Sequence, residues 1–307
     1  MKIIVLGAGV QGTLYGVRLA RRGHDVTFVA RGSRATELRE RGAAIREAFT
    51  ERSDVINMPV IERFERNLVA DIALITVRRE QLDAVLPELA AASGIARFVF
   101  FVNHANGSAS LFDSLGRARV VLGFPGAAGA LAGAVDRYVE VREQPTAIEA
   151  TAPDLAAILR DADFRVELVP DMDSWLRRHA VFVTAIAGAL SQVEADPQRL
   201  ADNPHLVRAF IVGIREGWAA LDRRNVAPAS RSLRAIFCWV PLPLAVLYWR
   251  RLLRSPRGDL YFAAHTRHMS LPPSPMTCAA LSKMIRRRLS VISMRRSTLP
   301  LEIVPPK

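Results

Sequence analysis

The chain has 307 residues, half of them apolar, and carries 42 basic against 30 acidic residues for a net charge of +12. That balance excludes a disordered or fibrous chain and predicts a globular protein of one large or two ordinary domains. The charge is almost wholly arginine, the lysines being Lys2, Lys283 and Lys307, and it is scattered without a nucleic-acid motif. A basic solvated surface is therefore expected, not a nucleic-acid interface.

In chain order, "KIIVLGAG" from Lys2 reads as a buried strand that leaves no room for a signal peptide. "VQGTLYGVRLARRG" reads as a helix stopped at Gly23, and "HDVTFVAR" as a second strand. Strands follow over 70–77, 97–103 and 119–124, with helices over 80–92 and 108–115 between them. Such alternation predicts a mostly parallel sheet covered on both faces. "RYVEVREQ", "TAIEA" and "FRVELV" read as more exposed strands, with a short helix over 153–161.

Beyond "VPDMDS" the patterning becomes helical, over 173–193, 204–224, 231–253 and 274–290. The expected organisation is an α/β domain over 1–172, an all-helical domain over 173–292 and a Pro-rich tail over 293–307. "AIFCWVPLPLAVLYW" (235–249) is the most apolar stretch, yet it is too short for a bilayer and is broken by Pro241 and Pro243. It reads as a core or pocket wall. Cys238 and Cys278 lie among apolar or small residues and read as reduced core thiols. A soluble cytoplasmic protein is expected.

Gly7, Gly9 and Gly12 form G-x-G-x-x-G between a strand and a helix, the context in which this motif is informative. Gly7 permits a tight turn, Gly9 lets backbone approach a pyrophosphate, and Gly12 lets helix and strand pack closely. Val10 and Gln11 open the helix whose N–H groups would meet the phosphates. The domain is thus read as a doubly wound, Rossmann-type dinucleotide-binding unit. An acid usually ends the second strand where NAD is bound. Here Arg31 ends it, Arg34 follows, and the first acid is Glu37. A guanidinium pairs with a 2′-phosphate and gains nothing from a bare hydroxyl, so NADP(H) is the expected cofactor.

With "FVARG" closing strand two, "ITVRREQL" closing the fourth-strand motif, and a Trp-led helix opening the second half, the chain resembles the ketopantoate reductase family. The resemblance is best over 1–125 and recognisable around 173–190. It implies a 2-oxo acid reductase with a helical second domain of the 6-phosphogluconate dehydrogenase carboxyl-terminal type. The family's fourth-strand lysine near the cofactor phosphates is replaced by Arg78. The family's nicotinamide-side asparagine corresponds to Asn103 better than to Asn106 in "VNHANGSASL", Asn106 before Gly107 reading as a turn residue.

The family's W-x-K motif, whose lysine is a general acid, corresponds to Trp175, Leu176 and Arg177, with its two substrate-holding asparagines at Val181 and Ala185. Arginine is not a proton donor near neutral pH, but it can fork onto a carboxylate or polarise a carbonyl. His179 is the nearest group titrating near neutrality. It is offset from Arg177 by about 200° on a helix, so both face one cleft only if that helix end is splayed. For the family's late glutamate, Asp259, or His265 and His268, are candidates, beside the plainer reading of polar residues at a helix end. A metal site is not expected there, because a third ligand is missing.

Val181 and Phe182 predict a greasier substrate pocket than ketopantoate requires. The substrate is expected to be a small oxo-acid or ketone, with Arg177 as carboxylate anchor. A homodimer is an open option. The alternative is a catalytically silent NADP(H)-binding sensor or scaffold.

Overall fold

The computed structural model describes residues 1–103, 107–132, 135–228 and 231–263. Its first half comprises β1 (Lys2–Leu6), α1 (Val10–Arg21), β2 (Asp25–Val29), α2 (Gly32–Arg41), β3 (Ala43–Glu47), β4 (Ser53–Ile56) and β5 (Val60–Ile61). There follow β6 (Ala70–Ile75), α3 (Arg79–Ala91), β7 (Ile95–Phe100), α4 (Ala109–Leu115) and β8 (Val120–Phe124). Then come β9 (Ala127–Ala132), β10 (Val135–Glu140), β11 (Thr146–Glu149), α5 (Pro153–Asp161) and β12 (Val166–Val169).

Eight strands form one sheet in the order β12-β11-β8-β7-β6-β1-β2-β5, parallel except where β11 meets β8. Side-chain alternation along β1 divides its residues between two cores. Ile3 and Val5 join the core that includes α1, whereas Ile4 and Leu6 join the one that includes α3. Both faces are therefore covered, which is why these strands read as continuous apolar runs. The chain leaves β1 toward β2 on one side and returns through β6 on the other. This order reversal creates a crevice at the strands' carboxyl ends, the place where open α/β sheets bind ligands.

A smaller sheet, β4-β3-β10-β9, has a counterpart in the sequence pattern only at β10, which overlaps "RYVEVREQ", while β3, β4 and β9 have none. Its strands are short and mix polar with small residues. "TAIEA", expected to be exposed, is buried over Thr146–Glu149 as β11, held between β8 and β12. Its one acid, Glu149, is paired with Arg117 at 2.6 Å, which makes that burial tolerable.

The second half is helical: α6 (Met172–Leu190), α7 (Pro197–Asp202), α8 (Pro204–Asp222), α9 (Arg231–Arg234), α10 (Leu242–Leu253) and α11 (Pro256–Gly258). The single helix expected over 231–253 is broken. Ala235–Trp239 winds as a π-turn, Val240 is extended, and α10 starts after Pro241. Arg215 of α8 donates to the freed carbonyls of Phe237 and Val240, at 2.5 and 2.6 Å. The apolar stretch is only partly a core wall. Phe237, Ala245 and Trp249 are buried, while Trp239, Leu244, Leu247 and Tyr248 are exposed. Cys238 is exposed, contrary to the core-thiol reading.

Among the described residues no helix is long and apolar enough to cross a membrane. The helix expected over 274–290, Cys278, Lys283, His265, His268 and the tail lie outside the described residues, as does Asn106.

Candidate active site

Two of the three motif glycines are demanded by the chain's own packing. Gly7 has φ +107°, and a Cβ there would lie 2.9 Å from the backbone of Thr76 and Val77. A Cβ on Gly12 would lie 2.0 Å from the Gly7 carbonyl oxygen. Thr76, at the end of β6, locks the loop by donating from Oγ1 to the Gly7 carbonyl at 2.6 Å.

Gly9 is different, because nothing lies within 4 Å of a Cβ placed on it. It caps α1 without a side-chain hydrogen bond, and no acid stands in the helix's first turn. The N–H groups of Val10, Gln11 and Gly12 belong to that turn, the positive end of the helix dipole. An open glycine over an uncapped helix start fits a dinucleotide's diphosphate. The Gln11 side chain is used elsewhere: its Nε2 donates to the Ala127 carbonyl of β9 at 2.6 Å.

Arg31 and Arg34 take different roles, although both were expected to read a 2′-phosphate. Arg31 is exposed at the start of α2 and forms no ion pair among the described residues. Arg34 is spoken for. Its Nε donates to the Ala8 carbonyl at 2.8 Å, Nη1 to Glu37 at 2.9 Å, and Nη2 to Thr13 Oγ1 at 2.9 Å and Asp136 Oδ2 at 2.6 Å. Arg78 stands exposed at the carboxyl end of β6. Its N–H donates to Gln81 Oε1, and its guanidinium lies 3.8 Å from Glu80.

The three nitrogen-rich residues opening α6 diverge. Arg178 is 3% exposed and staples α6 to the end of α8. It donates to Asp222 and to the carbonyls of Val226 and Ala227, and Trp218 Nε1 donates to its own carbonyl. The His179 ring stacks on Trp175 at 5.0 Å and lies 4.2 Å from the Phe124 ring at the end of β8. Arg177 faces the opposite way: its Nη2 is 3.3 Å from where a Cβ on Gly107 would stand. On the same side, Ser108 Oγ donates to Asp173 Oδ1 at 2.7 Å. Asn103, just past β7, has its Oδ1 buried with no partner among the described residues.

The structure thus brings Arg177 to the connection after β7 that carries Asn103, and leaves two other candidates apart. α6 is a continuous helix, so the splaying that His179 would need to share Arg177's cleft is absent. Asp259 is exposed at the start of a π-turn, Asp259–Ala263, that packs on β9 and β10. Nothing among the described residues joins it to Arg177. Val181 and Phe182 also depart from expectation. Val181 lies against Gly217 of α8, and Phe182 packs with Phe210, Phe237 and Trp249. Both lean into the helical core, so neither supports a greasier pocket.

Three residues at the site escaped the sequence reading. Thr76 sat two positions before Arg78 in the motif that drew attention. Ser108 opened a helix in an ordinary way. Asp136 had no local signal, since its partner Arg34 is remote in sequence.

The sheet order, with its reversal at β1, and the open glycine between β1 and α1 define a Rossmann-type fold. The family model for ketopantoate reductase PanE/ApbA matches residues 3–138. A 2-dehydropantoate 2-reductase of Archaeoglobus fulgidus is 26% identical over 212 residues, 67% of this chain and 68% of that protein. Two solved structures share the fold over 95% of this chain. One is a PanE/ApbA family ketopantoate reductase from Ralstonia eutropha JMP134, with TM-score 0.70, 19% identity and 93% of its chain covered. The other is D-mandelate dehydrogenase with NADH and anilino(oxo)acetate, with TM-score 0.69, 12% identity and 100% of its chain covered. The likeness to the ketopantoate reductase family model thus spans residues 3–138, and over nearly its whole length the chain shares the fold of these solved structures.

Proposed function

We propose that this chain is an NADPH-dependent reductase of a small 2-oxo acid. The observation that carries the reading is the position of Arg177. Its guanidinium has no ion pair among the described residues, and it lies beside Gly107 at the connection that also carries the unpartnered Oδ1 of Asn103. A forked cation there suits a substrate carboxylate, or the oxygen of a carbonyl as negative charge develops on it. The carboxamide of Asn103 would orient the substrate or the nicotinamide edge. Residues 7–12 would hold the diphosphate, with Arg78 near it, and Arg31 would meet the 2′-phosphate.

NADPH, when bound, supplies the hydride that adds to the carbonyl carbon. The carbonyl oxygen would then take a proton. Arginine cannot deliver that proton, so in this reading Arg177 holds the alkoxide and solvent protonates it. The ligands named for D-mandelate dehydrogenase support a 2-oxo acid as substrate but include NADH, so the preference for NADPH rests on Arg31.

The test is to titrate the protein with NADPH and NADH, then follow NADPH oxidation across a panel of 2-oxo acids. Tight NADPH binding with turnover of panel members supports the reading. NADPH bound but oxidised by none would favour the silent sensor or scaffold, which the loss of the family's lysine motivates.

A further inference from the structure

The carboxylate of Asp136 is fully buried, comes from the smaller sheet and touches the nucleotide corner of the larger one. Oδ2 accepts from Arg34 at 2.6 Å, while Oδ1 is buried without a partner among the described residues. Arg34 sits in the first turn of α2, three residues after Arg31, and its Nε bonds the carbonyl of Ala8 between Gly7 and Gly9. It therefore stands at the corner where the adenosine ribose of a dinucleotide would lie. A guanidinium carries five N–H donors. Four of them are engaged, by Ala8, Glu37, Thr13 and Asp136.

We infer that Asp136 is a specificity-determining residue for the dinucleotide: it draws Arg34 inward, so that Arg31 alone meets the 2′ position. This rests on the dinucleotide reading above. The physical reason is an asymmetry between the partners. Arg34 has the flexible stem and a half-buried head, but turning it outward would strand a wholly buried carboxylate, which is strongly unfavourable. Glu37, on the accessible side of the fork, completes the clamp. The smaller sheet is seated on the loop at two further points, Gln11 on Ala127 and Val10 against Gly129, so the carboxylate is held at a fixed distance.

Asp136→Asn keeps the volume and one acceptor but removes the charge that holds Arg34. Calorimetric titration of the full chain with NADPH and NADH is the test. The ratio of the two affinities is expected to rise roughly tenfold toward NADPH, the scale of one added charge-assisted hydrogen bond. Adding Arg34→Ala to that variant should return the ratio to its original value. Glu37→Gln, at a side chain that is 25% exposed, should move the ratio the same way by roughly twofold to threefold.

A ratio unchanged by Asp136→Asn, or both affinities falling by one common factor, would overturn the inference and leave Asp136 a structural brace. If Asp136→Asn does not fold, an unchanged ratio in Glu37→Gln overturns it equally. Failure of the unmodified protein to bind either dinucleotide would instead sink the underlying reading.

Discussion

Arg177 and His179, two residues apart, leave α6 on opposite faces: the guanidinium reaches Gly107, and the imidazole stacks on Trp175. An unbroken helix forces this separation. In the proposed reading Arg177 would meet the substrate, while the His179 ring packs between α6 and the end of β8.

Arg177→Gln should lower kcat/KM for 2-oxo acids roughly 10- to 100-fold, the scale of a lost charged hydrogen bond. His179→Gln should leave the shape of the pH–rate profile intact. A profile that loses a limb near neutral pH in His179→Gln would reassign the proton transfer to that ring.

The motif glycines should fail in different ways. Gly9→Ala meets open space in the protein, so its melting temperature should match the unmodified chain while NADPH affinity falls at least roughly tenfold. Gly12→Ala drives a methyl into the Gly7 carbonyl and should cost about 1–3 kcal/mol of stability or more. Thermal melts and titrations of the two variants check this. Equal destabilisation by both would show that Gly9 is also a packing glycine.

What was legible in the sequence divides along physical lines. β1, α1 and β2 announced themselves because a strand buried on both faces and a glycine-punctuated helix start carry local signals. The carboxyl-end placement of Arg31, Arg78 and Asn103 followed from the same alternation. Of the smaller sheet only β10 showed, since strands such as β3 and β4 are short and polar enough to read as loop. The inward turn of Arg34 was not legible, because a guanidinium's direction depends on what is buried behind it, and Asp136 is over a hundred residues away. The phase of His179 was computable, but whether α6 stayed regular was not.

Arg178 should prove a stability residue. Arg178→Met leaves the carbonyls of Val226 and Ala227 without their donor and should cost about 3–5 kcal/mol in chemical denaturation. Asp222→Asn, on the partner that is 60% exposed, should cost under about 1 kcal/mol. A larger loss for Asp222→Asn than for Arg178→Met would contradict this division.

The stability of the protein should also respond to pH through Asp136. Burial raises its pKa above the ordinary carboxylate range, outweighing the opposing pull of Arg34 and Thr13, while Glu37 adds to the rise. The folded state therefore binds the proton more tightly than the unfolded chain. The stability this gives is fully present below the ordinary aspartate value and is lost as pH rises through the raised one. Measured against Asp136→Asn, the unmodified protein should gain relative stability on acidification across that window. A relative loss there would mean the carboxylate is better stabilised as the anion inside the fold than in water.

Everything functional depends on residues 7–12 gripping a diphosphate with Arg31 beside the adenosine ribose. Titration calorimetry with NADPH and NADH, on the unmodified chain and on Arg31→Ala, tests this most directly. Tighter binding of NADPH is expected, with equal affinities once Arg31 is removed. No heat with either dinucleotide, or a preference for NADPH that survives Arg31→Ala, would contradict it.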